Sequence, residues 1–294
     1  MLSINSKENQ YRKPGNIACI GGFLLGSTVA NVYQLPHGLL SAKVLDKMTN
    51  ISKSLTKDEF ALIDEALNKA IGKKGLAAKG VSILRATSEN SDEIAKIFQK
   101  ELQSKKLLKI LPKSLSNMII KSVQSEFENG ENACYTIVSK KIIMPEKKLG
   151  LVMFHEAGHA LNANLGKVSK VLHKSKPLTI LALPIAMIGL FKTKKASGEE
   201  PKGMVDKSTT FIKNNAGKLT FAAFLPTLLE EGMASIKGNK IAKELLETGL
   251  SRKIMKTNAL GFTTYLARAI GSPVGIALGI KAKDAIAKKK QVEA

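Results

Sequence analysis

Hydrophobic and polar positions change pattern several times along the chain. From Pro14 to Ala42 no Lys, Arg, Asp or Glu occurs, and the most apolar part, Ile17 to Tyr33, approaches the roughly 17–25 residues that span hydrocarbon. Within it, Gly22-Phe-Leu-Leu-Gly26 would let a partner helix approach closely. Residues 14–42 read as a membrane anchor behind a basic tail, residues 1–13, that carries Lys7, Arg12 and Lys13. The competing readings are a signal peptide, cleaved near Thr28-Val29-Ala30, and a buried glycine-rich segment.

Residues 50–130 switch to the 3.6-residue period of amphipathic helices. Thr56-Lys-Asp-Glu59 is a capping box, and Phe60, Ile63, Leu67, Ala70 and Ile71 follow on one face. Ser91–Leu108 repeats the pattern with Ile94, Ile97, Phe98 and Leu102, and Pro112–Phe127 with Leu115, Met118, Ile119 and Val123. Their lysine-rich faces suit solvent. Then Ala133–Val138 has strand composition, and Lys141–Pro145 resembles a second short strand. Pro145 cannot donate to a ladder, so that strand is expected at an edge or to end there. A helix is expected from near Lys148 to Leu165, with Gly166 as its stop.

Three further apolar stretches follow: Pro177–Phe191, Leu219–Leu229, and Thr257–Ile280 with Arg268 inside. The first two are short for a crossing and suit a re-entrant or interfacial hairpin, or a buried core pair. The third would bury a guanidinium unless Arg268 faces a cavity or a partner. Lys192–Lys218, between the first two, reads as an exposed basic loop. The expected organisation is therefore a core over residues 131–240, interrupted by a hydrophobic hairpin at 177–229, and a C-terminal hydrophobic helix with a basic tail at 241–294. The fold class is mainly α with a small β-sheet, and the apolar segments together predict an integral, multi-pass membrane protein. Lys and Arg populate every loop, so the positive-inside rule does not orient it.

Composition narrows the partners. Lys and Arg outnumber Asp and Glu 46 to 24, a formal charge of +22, which points to an anionic surface such as a membrane or nucleic acid. No nucleic-acid-binding module accompanies the charge, and the chain lacks Trp, so nucleic acid is the weaker reading. Cys19 and Cys134 are the only cysteines. They form no CxxC pair, so neither a disulfide framework nor a thiolate metal site is implied.

The chemistry concentrates in His155-Glu156-Ala157-Gly158-His159. Residues four apart share a helix face, so both imidazoles can address one zinc ion, with Glu156 beside them to hold a water and take its proton. Catalytic zinc needs a third protein ligand. Ala-Leu-Asn-Ala-Asn follows His159, which excludes the metzincin spacing. Of the remaining histidines, His37 lies in the N-terminal apolar stretch and His173 in a basic linker. The better source is the pair Glu230-Glu231. Adjacent helical residues diverge by about 100°, so one of the two faces the metal. Glu231 is the expected ligand, with Glu230 the less favoured alternative.

HEAGH followed by Glu231-Gly-Met-Ala-Ser235 resembles the gluzincin pattern HExxH…ExxxD, with Ser235 replacing Asp. In that family the Asp position often orients a ligand histidine, which Ser would do more weakly. The long interval from His159 to Glu231, filled by two apolar stretches around a basic loop, is similar to the HtpX and CAAX-prenyl-protease group of membrane metallopeptidases. The resemblance covers roughly residues 130–240. It implies a gluzincin-like core with membrane-embedded helices, a protein or peptide substrate, and endopeptidase chemistry with zinc polarising the carbonyl and Glu156 as general base. It also implies that an extended substrate adds to the Ala133–Val138 edge. Tyr135, His173 and Arg268 are the candidates for stabilising an oxyanion. The rival readings are a soluble gluzincin, a non-catalytic membrane or metal-binding protein, and a nucleic-acid binder driven by charge alone.

Overall fold

The computed structural model describes residues 35–104, 133–145, 150–192 and 200–292, together with 117, 120, 121 and 125. Residues 14–34 of the apolar segment expected as an anchor, with its most apolar part, lie outside these residues, and its end, 35–42, opens the first described helix; most of the helix expected over Pro112–Phe127 also lies outside.

The described chain is mainly helical with one small sheet. Helix α1 spans Leu35–Lys53 and α2 spans Lys57–Lys73. The Thr56–Glu59 capping box forms at the start of α2, each partner satisfying the other's backbone N–H. Strand β1, Ser82–Ala86, is followed by α3, Ser91–Ser104. Then come β2, Cys134–Tyr135, and β3, Lys141–Pro145. The sheet order is β1-β3-β2. β1 runs parallel to β3, with Ser82 opposite Lys141, and β2 runs antiparallel, with Cys134 opposite Ile143.

β3 ends at Pro145, one of the two outcomes expected of the proline, and it is the central strand because β1, a five-residue segment between helical patterns, pairs along its outer edge. One expectation is corrected here. Only Cys134 and Tyr135 of the Ala133–Val138 run are strand. Past the strand's end Thr136 stays bonded to Lys141: its backbone N–H and its hydroxyl both donate to the Lys141 carbonyl, and the hydroxyl accepts from the Lys141 N–H. Both faces of β3 are covered. Ile142 and Met144 join the larger core, and Ile143 packs with Ala86, Ile94 and Ile97.

The described elements of the second half of the chain are all helical: α4 (Met153–Asn164), α5 (Lys167–Ser175), a 3-10 turn (Lys176–Leu181), α6 (Ala182–Phe191), α7 (Gly203–Asn214), α8 (Ala216–Leu245) and α9 (Thr248–Val292). Within the stretch expected as a basic loop, Gly203–Asn214 is helix α7. Its lysines obscured an N-terminal signal, since Asp206 in the first turn accepts from the Lys202 backbone and pairs with Lys192. Lys213, near its end, is buried against Asp284 at 2.8 Å.

The elements fall into two compact units. Pro36–Ile180 and Ala222–Ile270 form one compact unit, so the amphipathic region and the motif-bearing region share a core. Leu181–Phe221 and the chain from Gly271 onward belong to a second unit, centred on Leu190, Ala216, Ile276 and Ile280. In the first unit α4 is the central element. Eleven of its residues are buried, and Met153, Phe154, Ala157 and Ala160 pack with Ile63 and Leu67 of α2, Ile241 of α8 and Ile254 of α9.

Helices α4 and α8 touch backbone to backbone at two glycines. A Cβ added at Gly158 would lie 2.1 Å from the carbonyl oxygen of Ala234, and one at Gly238 would lie 2.3 Å from that of Phe154. The glycine of HEAGH therefore serves helix packing, and it fixes how closely the two chemistry-bearing helices approach. Gly158→Ala must push α8 away and is expected to cost about 3 kcal/mol. Thermal unfolding measures this; a variant with unchanged Tm would contradict the contact.

Among the described residues one helical run, Lys167–Phe191, is long and apolar enough to cross a membrane, and only 11% of its most apolar window is buried. A multi-pass arrangement finds no support there. Leu219–Leu229 and Thr257–Ile280 are parts of the long helices α8 and α9, and the Arg268 guanidinium lies over the Phe224 ring, 5.8 Å from its centroid.

Candidate metal centre

Helix α4 carries His155 and His159 one turn apart, and α8 brings Glu230 and Glu231 against them. The three donor atoms His155 Nε2, His159 Nε2 and Glu231 Oε2 form a triangle with edges of 2.9, 3.1 and 3.3 Å. Ligands held about 2.0–2.1 Å from a tetrahedral zinc stand about 3.3 Å from one another, so this buried set has the spacing that one small cation requires.

The other face of each imidazole is also engaged. His159 Nδ1 lies 2.8 Å from Glu230 Oε1. An ionised carboxylate can only accept, so Nδ1 donates, and in the neutral ring the lone pair is on Nε2, inside the triangle. His155 Nδ1 lies 3.1 Å from Ser235 Oγ. Ser235 therefore stands where it can orient the His155 ring. Two imidazole nitrogens 2.9 Å apart, one of them committed to a lone pair in its neutral form, are the arrangement a cation between them stabilises.

Adjacent glutamates address opposite nitrogens of one imidazole. Glu231 faces Nε2, while Glu230, fully buried, is tied behind the ring. Glu230 Oε1 accepts from His159, from His173 Nδ1 at 2.7 Å and from Asn162 Nδ2 at 3.0 Å. Lys176 Nζ donates to Glu231 Oε1 at 2.6 Å and stands 3.0 Å from Glu230 Oε2 as an ion pair without hydrogen-bond geometry. Glu230, His159 and His173 could themselves hold an ion. Their 2.7 and 2.8 Å contacts are those of two N–H donors on one carboxylate. Glu230→Gln keeps the shape but removes the charge behind His159, and is expected to weaken metal binding about 10- to 100-fold. A chelator competition titration reads this out.

Glu156 lies in the first turn of α4 and is buried. Burial raises its pKa; the two imidazoles and Lys176 oppose that, and Glu231 adds to it. For His159, burial and Lys176 act to lower the pKa, but Glu231, Glu156 and the bond to Glu230 win and raise it to about 10. Glu231 stays well below the carboxylate range, its burial outweighed by His159, His155 and Lys176. With its carboxylates ionised, the cluster carries three negative charges against the single Lys176 ammonium. The same field that favours a proton on His159 favours a divalent cation in its place.

The proposed oxyanion residues have other partners. His173 is bonded to Glu230, Tyr135 accepts from Asn164 Nδ2 at 2.8 Å, and Arg268 stacks on Phe224. Lys176, Asn162 and Tyr265 were not anticipated. Two had a signal: Asn162 follows His159, and Lys176 follows His173, by the three residues that share a helix face. Tyr265 had none. It reaches Glu231 from α9, where burial and that carboxylate raise the phenol pKa. Compared with known protein families, curated proteins and solved structures, the chain matches none.

Proposed function

We propose that the protein is a zinc-dependent endopeptidase of the gluzincin type, with His155, His159 and Glu231 as the metal ligands and Glu156 as the general base. The observation that carries this reading is the buried donor triangle with a carboxylate of raised pKa beside it. When bound, zinc supplies Lewis acidity, polarising a peptide carbonyl and making water acidic enough to attack it. Glu156 accepts the proton of the attacking water and returns it to the leaving amine, which balances the hydrolysis. Glu230 and Ser235 hold the two imidazoles in orientation, and Lys176 occupies the second oxygen of Glu231, leaving Oε2 for the metal. Zinc rather than magnesium or calcium follows from the donor set of two imidazoles and one carboxylate.

We place this chemistry at a membrane. The exposed apolar run Lys167–Phe191, which carries His173 and Lys176 to the site, supports that location. Metal analysis of the purified protein, with cleavage of casein or a peptide library, tests the reading. About one equivalent of zinc and chelator-sensitive cleavage are expected. A protein that binds zinc but cleaves nothing would be the metal-binding protein of the rival reading.

A further inference from the structure

We infer that the cleft between α3 and the turn joining β2 to β3 binds a phosphate-bearing ligand. This cleft, of about 410 Å³, lies wholly within the first compact unit and shares no residue with the metal centre. Its volume falls in the range of small-molecule sites. Lys96 and Lys100 stand one turn apart on α3 along one wall, and Ser139 and Lys141 belong to the other. Among the described residues neither Lys96 nor Lys100 has a hydrogen-bond or ion-pair partner. Lys141 Nζ donates to Ser82 Oγ at 2.9 Å, which uses one of the three N–H groups of an ammonium. Glu93, one turn before Lys96, also lines the cleft and pairs with none of the lysines.

The walls are held in place by the fold. The buried carboxylate of Glu101, next to Lys100, accepts from the backbone N–H of Val138 and so ties the turn to α3. Lys140 has a φ of 52°, a left-handed backbone that a residue with a Cβ takes only where its surroundings hold it. Its carbonyl accepts from the Ser82 N–H at 3.1 Å, and its ammonium donates to the Lys79 carbonyl at 2.8 Å. A ligand entering here orders little backbone, which keeps the cost of binding low.

Charge and donor chemistry select the ligand. Three lysines against one glutamate leave the lining at a net +2, which matches the charge of about −1.5 to −2 on a phosphate monoester at neutral pH. Ammonium groups and the Ser139 hydroxyl are the donors that phosphate oxygens accept from. A simple carboxylate carries half that charge. Nucleic acid is the poorer fit, because among the described residues no aromatic side chain lines the cleft to stack a base. A soluble phosphomonoester and the headgroup of phosphatidic acid present the same chemistry, so both are probed.

The full-length protein is titrated with inorganic phosphate at constant ionic strength, and separately with phosphatidylcholine vesicles that contain phosphatidic acid. Calorimetry follows binding, and mass spectrometry follows the acetylation rate of each lysine. The expected result is saturable binding of inorganic phosphate that slows acetylation of Lys96 and Lys100. Lys96→Gln combined with Lys100→Gln should weaken that binding at least about tenfold, since each removes a charged donor. Lys69→Gln combined with Lys73→Gln makes the same charge change at the same spacing on the exposed face of α2, and should leave binding unchanged. An equal loss in both double variants would overturn the site and leave only general attraction to a basic protein. Equal protection by acetate at the same ionic strength would overturn the phosphate assignment. Protection by phosphatidic acid vesicles but not by inorganic phosphate would keep the site and assign its phosphate to a lipid headgroup; protection by neither defeats the inference.

Discussion

Under the proposed mechanism, Glu156→Gln is expected to lower peptide cleavage by about 10²–10⁴-fold, the range that one positioned acid–base group contributes, while zinc content and Tm stay near wild type. The structure separates these readouts. Among the described residues the Glu156 carboxylate makes no hydrogen bond or ion pair; what acts on it is the charge of His159, His155, Glu231 and Lys176. An isosteric amide therefore breaks no contact, and loses only the ability to take a proton. It also spares a buried group the cost of ionisation, so stability should not fall. Undiminished cleavage in the variant would overturn the proposed mechanism. Loss of zinc together with activity would instead make Glu156 a ligand.

Glu231→Ala and His159→Ala are expected to lose zinc outright, a larger effect than the roughly 10- to 100-fold cost of removing an outer hydrogen-bond partner. Each removes one corner of the triangle of 2.9, 3.1 and 3.3 Å. The two remaining donors cannot complete a three-ligand site. Measuring zinc by mass spectrometry alongside Glu230→Gln distinguishes the adjacent carboxylates. Zinc retained in Glu231→Ala but lost in Glu230→Gln would reverse their roles. Glu231→Ala also leaves Lys176 without its 2.6 Å partner, so far-UV circular dichroism must show that the variant is folded. Glu231→Gln, which keeps a hydrogen-bond acceptor for Lys176, separates loss of the ligand from loss of the fold.

Much of the helical framework was legible in the sequence because its signals are local. The Thr56–Glu59 box, the 3.6-residue spacing of Ile63, Leu67 and Ala70, and the four-residue spacing of the two histidines each involve neighbours along one helix. Strand β1 was not legible, since five residues gain their pairing only from β3 more than fifty positions away. Helix α7 was hidden by lysines that read as solvent-facing, although Lys213 is buried by its pairing with Asp284.

The metal centre divides in the same way. By itself the sequence determined that His155 and His159 lie on one helix face with Glu156 next to them, and that two carboxylates on a distant apolar helix were the available third donors. Helical geometry alone requires this. Only the tertiary structure decided which nitrogen each glutamate faces, and that His173 of α5 and Lys176 of the turn after it hold that pair of glutamates. Those contacts exist because α4 and α8 meet at Gly158 and Gly238 with no side chain between their backbones, a closeness set by packing between segments far apart in the chain.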